Sequence, residues 1–238
     1  MRPMALLPCF PGTNCHHDLA EGFQKAGADP KIVWLKSATR PKLYEADLIG
    51  WSGGFAHGDY FGTARVAAVE LLNRLRDELL EALERRIPMI GICNGHQILT
   101  ATGLLTGRTV GSANVVMDLN LSSNFEHRNN ATLLVHKATD CLWTRHVLSE
   151  KLVMPSAHGE GRPVLAHHGD PPNIVFTYGT YEGTTEYPIS PNGSRVAGFC
   201  DDTKTILGMM PHPERRIDRR RGGMDGLAIL ESGVKEVR

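Results

Sequence analysis

Cys93 lies in a sequence pattern that is typical of a reactive nucleophile. The segment Gly91-Ile92-Cys93-Asn94-Gly95-His96-Gln97 has one glycine two residues before the cysteine and another two residues after it. Small residues at these positions allow a sharp turn from a strand into a helix, which projects the cysteine at the carboxyl end of a sheet. The amino end of that helix favours the thiolate over the thiol. Most free cysteines are buried structural residues, but this pattern favours Cys93 as a nucleophile.

A thiol nucleophile needs a base that is oriented by a third group, and two His-x-Glu segments could supply both. They are His158-Gly159-Glu160 and His212-Pro213-Glu214. The second follows an apolar segment, and Pro211 and Pro213 stiffen its turn, which suits a fixed imidazole. The first lies among glycines, which predicts a mobile loop at a pocket or interface. The spacing alone allows either pair to serve the thiol, and we assign the triad to Cys93, His212 and Glu214.

Attack on an amide creates an oxyanion, which preorganised backbone amides must stabilise. Gly53-Gly54 ends a predicted strand, and glycines permit the dihedral angles that direct amides inward. The amide of Asn94, directly after the nucleophile, is the second candidate donor. A Gly-Gly pair alone more often marks only a turn, but beside a nucleophile elbow it indicates an oxyanion hole formed by Gly54 and Asn94.

The elements that must position these residues alternate between strands and helices in the first half of the chain. Predicted strands there are Met4 to Cys9, Lys31 to Leu35, Asp47 to Ser52 and Pro88 to Cys93, and predicted helices include Ala64 to Arg86 and Asn94 to Thr102. This alternation predicts an α/β fold, with a largely parallel sheet covered on both faces. The second half is strand-rich, so we expect mixed or antiparallel pairing there and a loop from Gly159 to Pro172.

Composition excludes several broad classes of protein. With 238 residues and 41% hydrophobic content, the chain can bury one substantial core, so we expect a single domain over residues 1–238. Basic and acidic residues number 26 each, so the formal net charge is zero and no overall electrostatic field attracts nucleic acid. The start MRPMALLPCF is too broken for a signal peptide, and no apolar run approaches the roughly 20 residues of a membrane span. We expect a cytoplasmic protein without nucleic-acid or membrane partners.

Cysteine and histidine spacing indicates neither disulfides nor a metal centre. The five cysteines contain no C-x-x-C pair. The 11 histidines show no metal-ligand spacing, and the adjacent pairs His16-His17 and His167-His168 are interpreted as solvent-facing or turn residues. We therefore expect no metal and no cofactor on this chain.

The motifs around the three triad residues resemble a known family, the triad or class I glutamine amidotransferases. Their G-x-C-x-G-x-Q and H-P-E motifs match the segments around Cys93 and His212. A closer resemblance is to glutaminase subunits of phosphoribosylformylglycinamidine synthase, and it covers nearly the whole chain. The blocks that carry it are Phe10 to Cys15, Gly53 to Tyr60, Gly91 to Leu99, Ala157 to Arg162, Tyr187 to Ser194 and Gly208 to Arg215.

The resemblance implies a flavodoxin-like three-layer fold and a specific reaction. Cys93 would form a glutamyl thioester with loss of ammonia, His212 would shuttle protons, and Glu214 would hold the imidazole. Ammonia would pass through a tunnel to a synthetase subunit that binds ATP and Mg²⁺ and acts on formylglycinamide ribonucleotide in purine synthesis, with a small third subunit in many bacteria. The candidates for the glutamine pocket that the family carries over are Gly53, Gly54, Gln97, Phe125 and Arg128.

Departures from the family pattern concern the partner rather than the triad. Tyr60 to Arg65 lacks the expected Leu-Arg, and Ser52 stands where proline is usual. Arg215 to Arg221 contains five arginines, and this run is either a solvated surface or a dock for an acidic patch or a phosphate.

Three other interpretations remain open at the level of sequence. The chain could be a flavodoxin-like cysteine hydrolase of the peptidase or deglycase type, a glutaminase for another synthetase such as one for GMP or CTP, or a binding module without activity. Gln97, the Gly53-Gly54 turn and the intact triad argue against the first and third. The blocks shared with the purine-pathway subunits argue against the second.

Overall fold

Strands outnumber helices in the described part of the chain. The structure, a computed structural model, describes residues 1–36, 39–58, 62–106, 110–165, 171–180 and 190–238. Expectations that concern Asp59 to Phe61, His167-His168 and Tyr187 to Ile189 lie outside these ranges. The strands are β1 (Met4–Cys9), β2 (Asp29–Trp34), β3 (Leu48–Trp51), β4 (Met89–Ile92), β5 (Val115–Leu119), β6 (Glu126–Val135), β7 (Lys151–His158), β8 (Glu160–Leu165), β9 (Ile174–Gly179), β10 (Val196–Cys200) and β11 (Ile206–Met209). The α-helices are α1 (His16–Ala26), α2 (Thr63–Glu84), α3 (Asn94–Ala101) and α4 (Asp225–Lys235).

The described strands form a nine-stranded mixed sheet and a separate two-stranded ribbon. The order in the sheet is β2-β1-β3-β4-β11-β10-β9-β6-β7. The first five strands of this order pair in parallel. From β11 onwards every pairing is antiparallel. Strands β5 and β8 pair antiparallel and make the ribbon. The predicted α/β fold, with its parallel first half and antiparallel additions, is confirmed.

Helices cover both faces of the parallel part of the sheet. Helix α1 packs beside α4, and α2 packs beside α3. Gly50 of β3 lies under the α1 side chains Leu19 and Phe23. Its neighbour Trp51 contacts Gly95 of α3 instead. Because successive strand residues point to opposite faces, the two helix pairs lie on opposite sides of the sheet. In the described ranges, no helix combines the length and the apolar character that crossing a membrane requires.

Helix α2 follows its sequence pattern closely. Ala68, Leu71, Leu75 and Leu79 recur at helical spacing, and all four are almost fully buried. Away from this stripe, Glu70 pairs with Arg74 and Glu81 pairs with Arg85, each four residues apart. The helix therefore covers its sheet face with one apolar stripe.

The prediction of a mobile loop around His158 is wrong. His158 is the last residue of β7 and Glu160 is the first residue of β8, so much of the expected loop from Gly159 to Pro172 is strand. Prolines within these strands, at positions 155 and 163, obscure the strand pattern. Proline is tolerated here because β7 is an edge strand of the sheet and β8 belongs to a two-stranded ribbon.

Helix α4, like strand β8, is not predicted by the sequence pattern. It contains Gly226 and Gly233, which lower helix propensity. Both glycines are needed for packing. A Cβ at Gly226 would overlap the backbone of Pro213, and a Cβ at Gly233 would overlap the ring of Trp143. The helix therefore packs against the turn that carries the second His-x-Glu pair.

Candidate active site

The segments that carry the candidate residues all begin at the same edge of the sheet. Strands β1, β3, β4 and β11 are parallel neighbours, so their carboxyl ends lie side by side. The residues that follow these four ends include Cys15, Gly53, Cys93 and His212. In the sheet, β1 lies between β2 and β3, so the chain passes from β1 to one side and then returns to its other side. Open α/β sheets bind ligands at such a switch point, which is where these residues lie.

Cys93 occupies a strained turn between β4 and α3. Its φ of 51° and ψ of −109° are uncommon for a residue with a side chain. The turn depends on close contacts at both flanking glycines. A Cβ at Gly91 would lie 2.6 Å from a methyl group of Leu99, and a Cβ at Gly95 would overlap the carbonyl group of Trp51. The backbone is therefore that of a nucleophile elbow.

His212 and Glu214 form a buried pair beside the elbow. Nδ1 of His212 lies 2.6 Å from Oε1 of Glu214, and both residues are only 1% exposed. The backbone amide of His212 donates to the carbonyl of Pro155 at 2.8 Å, which ties the turn to β7. Burial alone would lower the pKa of His212, but the Glu214 carboxylate and the Cys93 thiolate outweigh it and raise the pKa to about 10. The other ring nitrogen, Nε2, has no hydrogen-bond partner among the described residues.

The first His-x-Glu pair is also buried but is bonded differently. His158 lies 2.9 Å from Oδ1 of Asn120 through Nδ1 and 3.5 Å from the hydroxyl of Tyr178 through Nε2. Burial lowers the pKa of His158 to about 3, with the charge of His212 acting in the same direction. The carboxylate of Glu160 accepts a hydrogen bond from the Gly62 amide at 3.0 Å. The histidine is therefore a neutral group held in place by its neighbours, and it makes no pair with Glu160.

A cavity of about 420 Å³ opens over the elbow. Most of the predicted site residues line it, namely Gly54, Cys93, Gln97, Phe125, His158, Glu160 and His212. Gly53 lies between the nucleophile and the base, since a Cβ there would be 2.9 Å from Cε1 of His212 and 3.3 Å from Cβ of Cys93. Arg128 is not among the residues that line the cavity. It lies on β6 with its side chain about half exposed, 3.6 Å from a carboxylate oxygen of Glu126.

The candidate amides for an oxyanion lie on both sides of the nucleophile. Gly54 has a φ of 131°, which favours glycine, and its conformation is fixed by a bridge to Thr13. Asn94 is the first residue of α3, so its amide has no partner within the helix. The Asn94 side chain donates to Oε1 of Gln97 at 3.0 Å, and Nε2 of Gln97 donates to the carbonyl of Glu160 at 2.5 Å. Gln97 therefore joins α3 to the wall of the cavity.

Four cavity residues with polar or thiol side chains were not among the predicted site residues: Asn14, Cys15, Asp18 and Arg215. Cys15 reaches the site because its amide donates to the carbonyl of Gly53 at 3.3 Å. Its Sγ lies 3.6 Å from a guanidinium nitrogen of Arg215. The position of Cys15 could have marked it as a candidate, because it comes directly after the turn that follows β1. Gly53 and Cys93 also follow strand ends.

The arginine run does not behave as one surface. Arg215 faces the cavity. Arg216 is buried and donates to the carbonyl of Asn129 at 3.0 Å. Arg221 pairs with Glu21 of α1 at 2.9 Å. Arg219, Arg220 and Arg221 are the exposed part of the run, and the pair with Glu21 keeps Arg221 at the surface beside α1.

The fold and this arrangement of side chains are those of a glutamine amidotransferase. The family model described as "CobB/CobQ-like glutamine amidotransferase domain" matches residues 2–222, so the chain belongs to this family. Several solved structures with low identity share the fold. One is a glutamine amidotransferase from Thermotoga maritima, with a TM-score of 0.61 and 16% identity over 100% of this chain and 98% of that chain.

Closer relatives come from a single group within the family. The chain is 33% identical to phosphoribosylformylglycinamidine synthase subunit PurQ of Cereibacter sphaeroides, over 94% of this chain and 93% of that protein. It is 35% identical to the subunit of the same name from Methanococcus maripaludis, over 91% of this chain and 84% of that protein. A chain in the structure of PurLQS from Thermotoga maritima is 32% identical, with a TM-score of 0.82 and complete coverage of both chains.

Proposed function

We propose that this chain is the glutaminase subunit of a phosphoribosylformylglycinamidine synthase. It hydrolyses glutamine to glutamate and ammonia, and it delivers the ammonia to an ATP-dependent synthetase subunit. The single observation that carries the glutaminase activity is the buried His212–Glu214 pair, 2.6 Å apart, beside the elbow cysteine. The assignment to this synthetase rests on the PurQ relatives and on the likeness to a chain of PurLQS.

The reaction begins with attack of the Cys93 thiolate on the carboxamide carbon of glutamine. The developing oxyanion is stabilised by the amides of Gly54 and Asn94. His212 is protonated at neutral pH because its pKa is raised to about 10. It therefore gives its proton to the leaving ammonia.

The glutamyl thioester that remains is then hydrolysed. His212, now neutral, accepts a proton from water, and the resulting hydroxide attacks the thioester and releases glutamate. Glu214 holds the imidazole in one tautomer and stabilises its charged form. Of the candidates for the glutamine pocket, Gly54, Gln97 and Phe125 line the cavity, and we place the bound glutamine between the side chains of Gln97 and Phe125.

The partner supplies the rest of the reaction. ATP and Mg²⁺ bind to the synthetase subunit, which uses the ammonia to convert formylglycinamide ribonucleotide to formylglycinamidine ribonucleotide, and a small third subunit can complete the assembly. The relative from Thermotoga maritima, whose structure is described as PurLQS, supports such an assembly. All five cysteines are free thiols, which supports action in the reducing cytoplasm.

Replacement of the nucleophile tests this function. In the complex with its synthetase, Cys93→Ser abolishes the glutamine-dependent reaction but keeps the ammonia-dependent one, because only ammonia release uses the thiol. Cys9→Ser is the matched control, since Cys9 is fully buried on β1. Near-normal glutamine hydrolysis by Cys93→Ser would refute the nucleophile assignment, and failure of the chain to bind this synthetase would refute the partner.

A further inference from the structure

The catalytic cavity contains charged side chains that the reaction described above does not use. Among the described residues that line it, those with a full charge besides His212 are Asp18, Glu160 and Arg215. The carboxylate of Glu160 accepts a hydrogen bond from the Gly62 amide at 3.0 Å, so the fold already gives this group a partner. Asp18 and Arg215 therefore remain to be explained.

Arg215 places a guanidinium in the cavity without an anionic partner. In the part of the chain that the structure describes, its side chain donates only to Sγ of Cys15, at 3.6 Å, and sulfur is a weak acceptor. The neighbouring carboxylate, Glu214, bonds to His212 instead. A guanidinium has five N–H donors, and partly buried donors without a partner are unfavourable. The Arg215 side chain is therefore available to an anion that enters the cavity.

Asp18 supplies the opposite charge to the same cavity. It lies in the first turn of α1, and its charge acts on His16 of that turn. Its oxygens form neither a hydrogen bond nor an ion pair with any described residue, Arg215 included. A carboxylate in a first turn also stabilises its helix, which explains an acidic residue here but not the unpaired arginine. The two opposite charges face one cavity without neutralising each other.

A cation and an anion at one small cavity favour a zwitterionic ligand. A simple anion would be repelled by Asp18, and a simple cation would be repelled by Arg215. The α-carbon of a free amino acid carries both an ammonium group and a carboxylate. A guanidinium binds a carboxylate through two parallel hydrogen bonds, and a carboxylate accepts from an ammonium group. The cavity of about 420 Å³ has the size of a small-molecule site.

We propose that Arg215 binds the α-carboxylate of glutamine and that Asp18 binds its α-ammonium group. This inference rests on the function proposed above, which makes glutamine the substrate but gives its α-groups no charged partner. The carboxamide lies at Cys93, the methylene groups pass between Gln97 and Phe125, and the α-carbon lies towards Asp18 and Arg215. A glutamine within a peptide has neither α-group free, so these two residues select the free amino acid.

Binding of glutamine and of two truncated amides tests the two contacts separately. The complex with the synthetase carries Cys93→Ser, so that ligands bind without turnover. Equilibrium dialysis measures the Kd of glutamine, and competition measures that of 4-aminobutanamide, which lacks the carboxylate, and of glutaramate, which lacks the ammonium group. We expect Arg215→Gln to weaken glutamine about tenfold or more but 4-aminobutanamide less than about twofold. Asp18→Asn should weaken glutamine about fivefold or more but glutaramate less than about twofold.

Control variants come from the same two segments. Arg219 is an exposed member of the same arginine run, and Glu21 follows Asp18 by three residues on α1 but does not line the cavity. Arg219→Gln and Glu21→Gln should keep the Kd of glutamine within about twofold of the parent protein. Arg215→Lys keeps the charge and should bind glutamine more tightly than Arg215→Gln does. An unchanged glutamine Kd in Arg215→Gln, or equal losses for glutamine and 4-aminobutanamide, would overturn the assignment.

A second comparison needs no substitution at Asp18 or Arg215 and so does not depend on how those variants fold. In the Cys93→Ser complex alone, glutamine should bind about tenfold or more tightly than either truncated amide. Equal affinity for all three would contradict charged recognition of the α-groups. Glutamine hydrolysis by the wild-type complex is measured separately. Normal hydrolysis without the expected binding pattern would refute this inference alone, whereas absence of both hydrolysis and glutamine binding would refute the proposed function with it.

Discussion

Two His-x-Glu segments with the same spacing have opposite environments in this protein. In the second, the histidine and the glutamate bond to each other at 2.6 Å. In the first, His158 bonds to Asn120 and Tyr178, while Glu160 bonds to the amide of Gly62. One imidazole has its pKa raised to about 10 and the other has it lowered to about 3. Spacing in the sequence therefore does not decide whether a histidine carries charge.

The residue between histidine and glutamate contributes to this difference. In the second pair it is Pro213, at the start of a short 3₁₀ turn that brings Glu214 back under the imidazole. In the first it is Gly159, at the junction of β7 and β8. The two strands continue into different sheets, so the side chains of His158 and Glu160 diverge. A tight turn keeps a pair together, whereas a junction between strands separates it.

Removal of each histidine should give the largest contrast. We expect His212→Ala to lower the kcat of glutamine hydrolysis by about 10²- to 10⁴-fold, because it removes the proton donor and acceptor. His158→Ala should lower kcat less than tenfold but reduce the free energy of unfolding by about 1–3 kcal/mol, because it leaves buried hydrogen-bond partners unsatisfied. Steady-state kinetics and chemical denaturation measure the two effects. A collapse of kcat in His158→Ala beside a nearly normal His212→Ala would reverse the comparison.

Replacement of each glutamate by glutamine should give a smaller contrast. Glu214→Gln keeps the shape of the side chain but removes the charge that stabilises protonated His212, so we expect a loss in kcat roughly ten- to a hundredfold smaller than that of His212→Ala. Glu160→Gln should change KM or coupling to the synthetase more than kcat, since Glu160 lines the cavity and its carboxylate accepts a hydrogen bond from the Gly62 amide. The measurement is kcat and KM for both variants in the complex. Equal kcat losses in the two would refute a special role for Glu214.

Substitution of a glycine close to each His-x-Glu pair tests how the fold holds that pair in position. Gly226→Ala places a methyl group against the backbone of Pro213, and we expect a loss of about 1–3 kcal/mol in the free energy of unfolding. Gly159→Ala is the matched control, because its Cβ would meet only Phe125, at 3.9 Å, an ordinary contact. Its stability should stay within about 0.5 kcal/mol of wild type. Thermal and urea unfolding provide both values, and similar losses in the two variants would contradict the packing of α4 on the turn.

The dependence of stability on pH should be the most gradual effect, at most about 1.4 kcal/mol per pH unit for each histidine. The raised pKa of His212 gives stability that is present below about pH 6.5 and is lost as the pH rises towards 10. The lowered pKa of His158 has the opposite sign, since the unfolded chain takes up the proton first, so stability is lost as the pH falls from 6.5 towards 3.

Two variants separate these contributions. His212→Gln should flatten the loss of stability on the alkaline side, and His158→Gln should reduce the loss on the acid side. His96 is also buried with its pKa lowered to about 3, so some acid-side loss remains. Urea unfolding at several pH values measures both. An alkaline slope that is unchanged in His212→Gln would contradict the ionised state assigned to this residue.

Local backbone geometry is the part of this protein that can be predicted from short segments of sequence. The Gly-x-Cys-x-Gly segment specifies the elbow because both glycines allow close contacts next to Cys93. Pro213 sets the turn that pairs His212 with Glu214 two residues away. The alternation of strands and helices specified the parallel sheet, which brings the carboxyl ends of β3, β4 and β11 to one edge. A family resemblance added the reaction that these parts perform.

The distant groups that surround these segments depend instead on how the whole chain packs. Cys15 and Arg215 are in contact although they are 200 residues apart in the chain. His158 meets Asn120 from a segment 38 residues away, and this contact makes it a neutral, fixed group rather than part of a loop. Helix α4 packs against the turn of His212 and Glu214 through Gly226. Such contacts depend on how whole strands and helices pack, and the composition or spacing of any one segment does not record them.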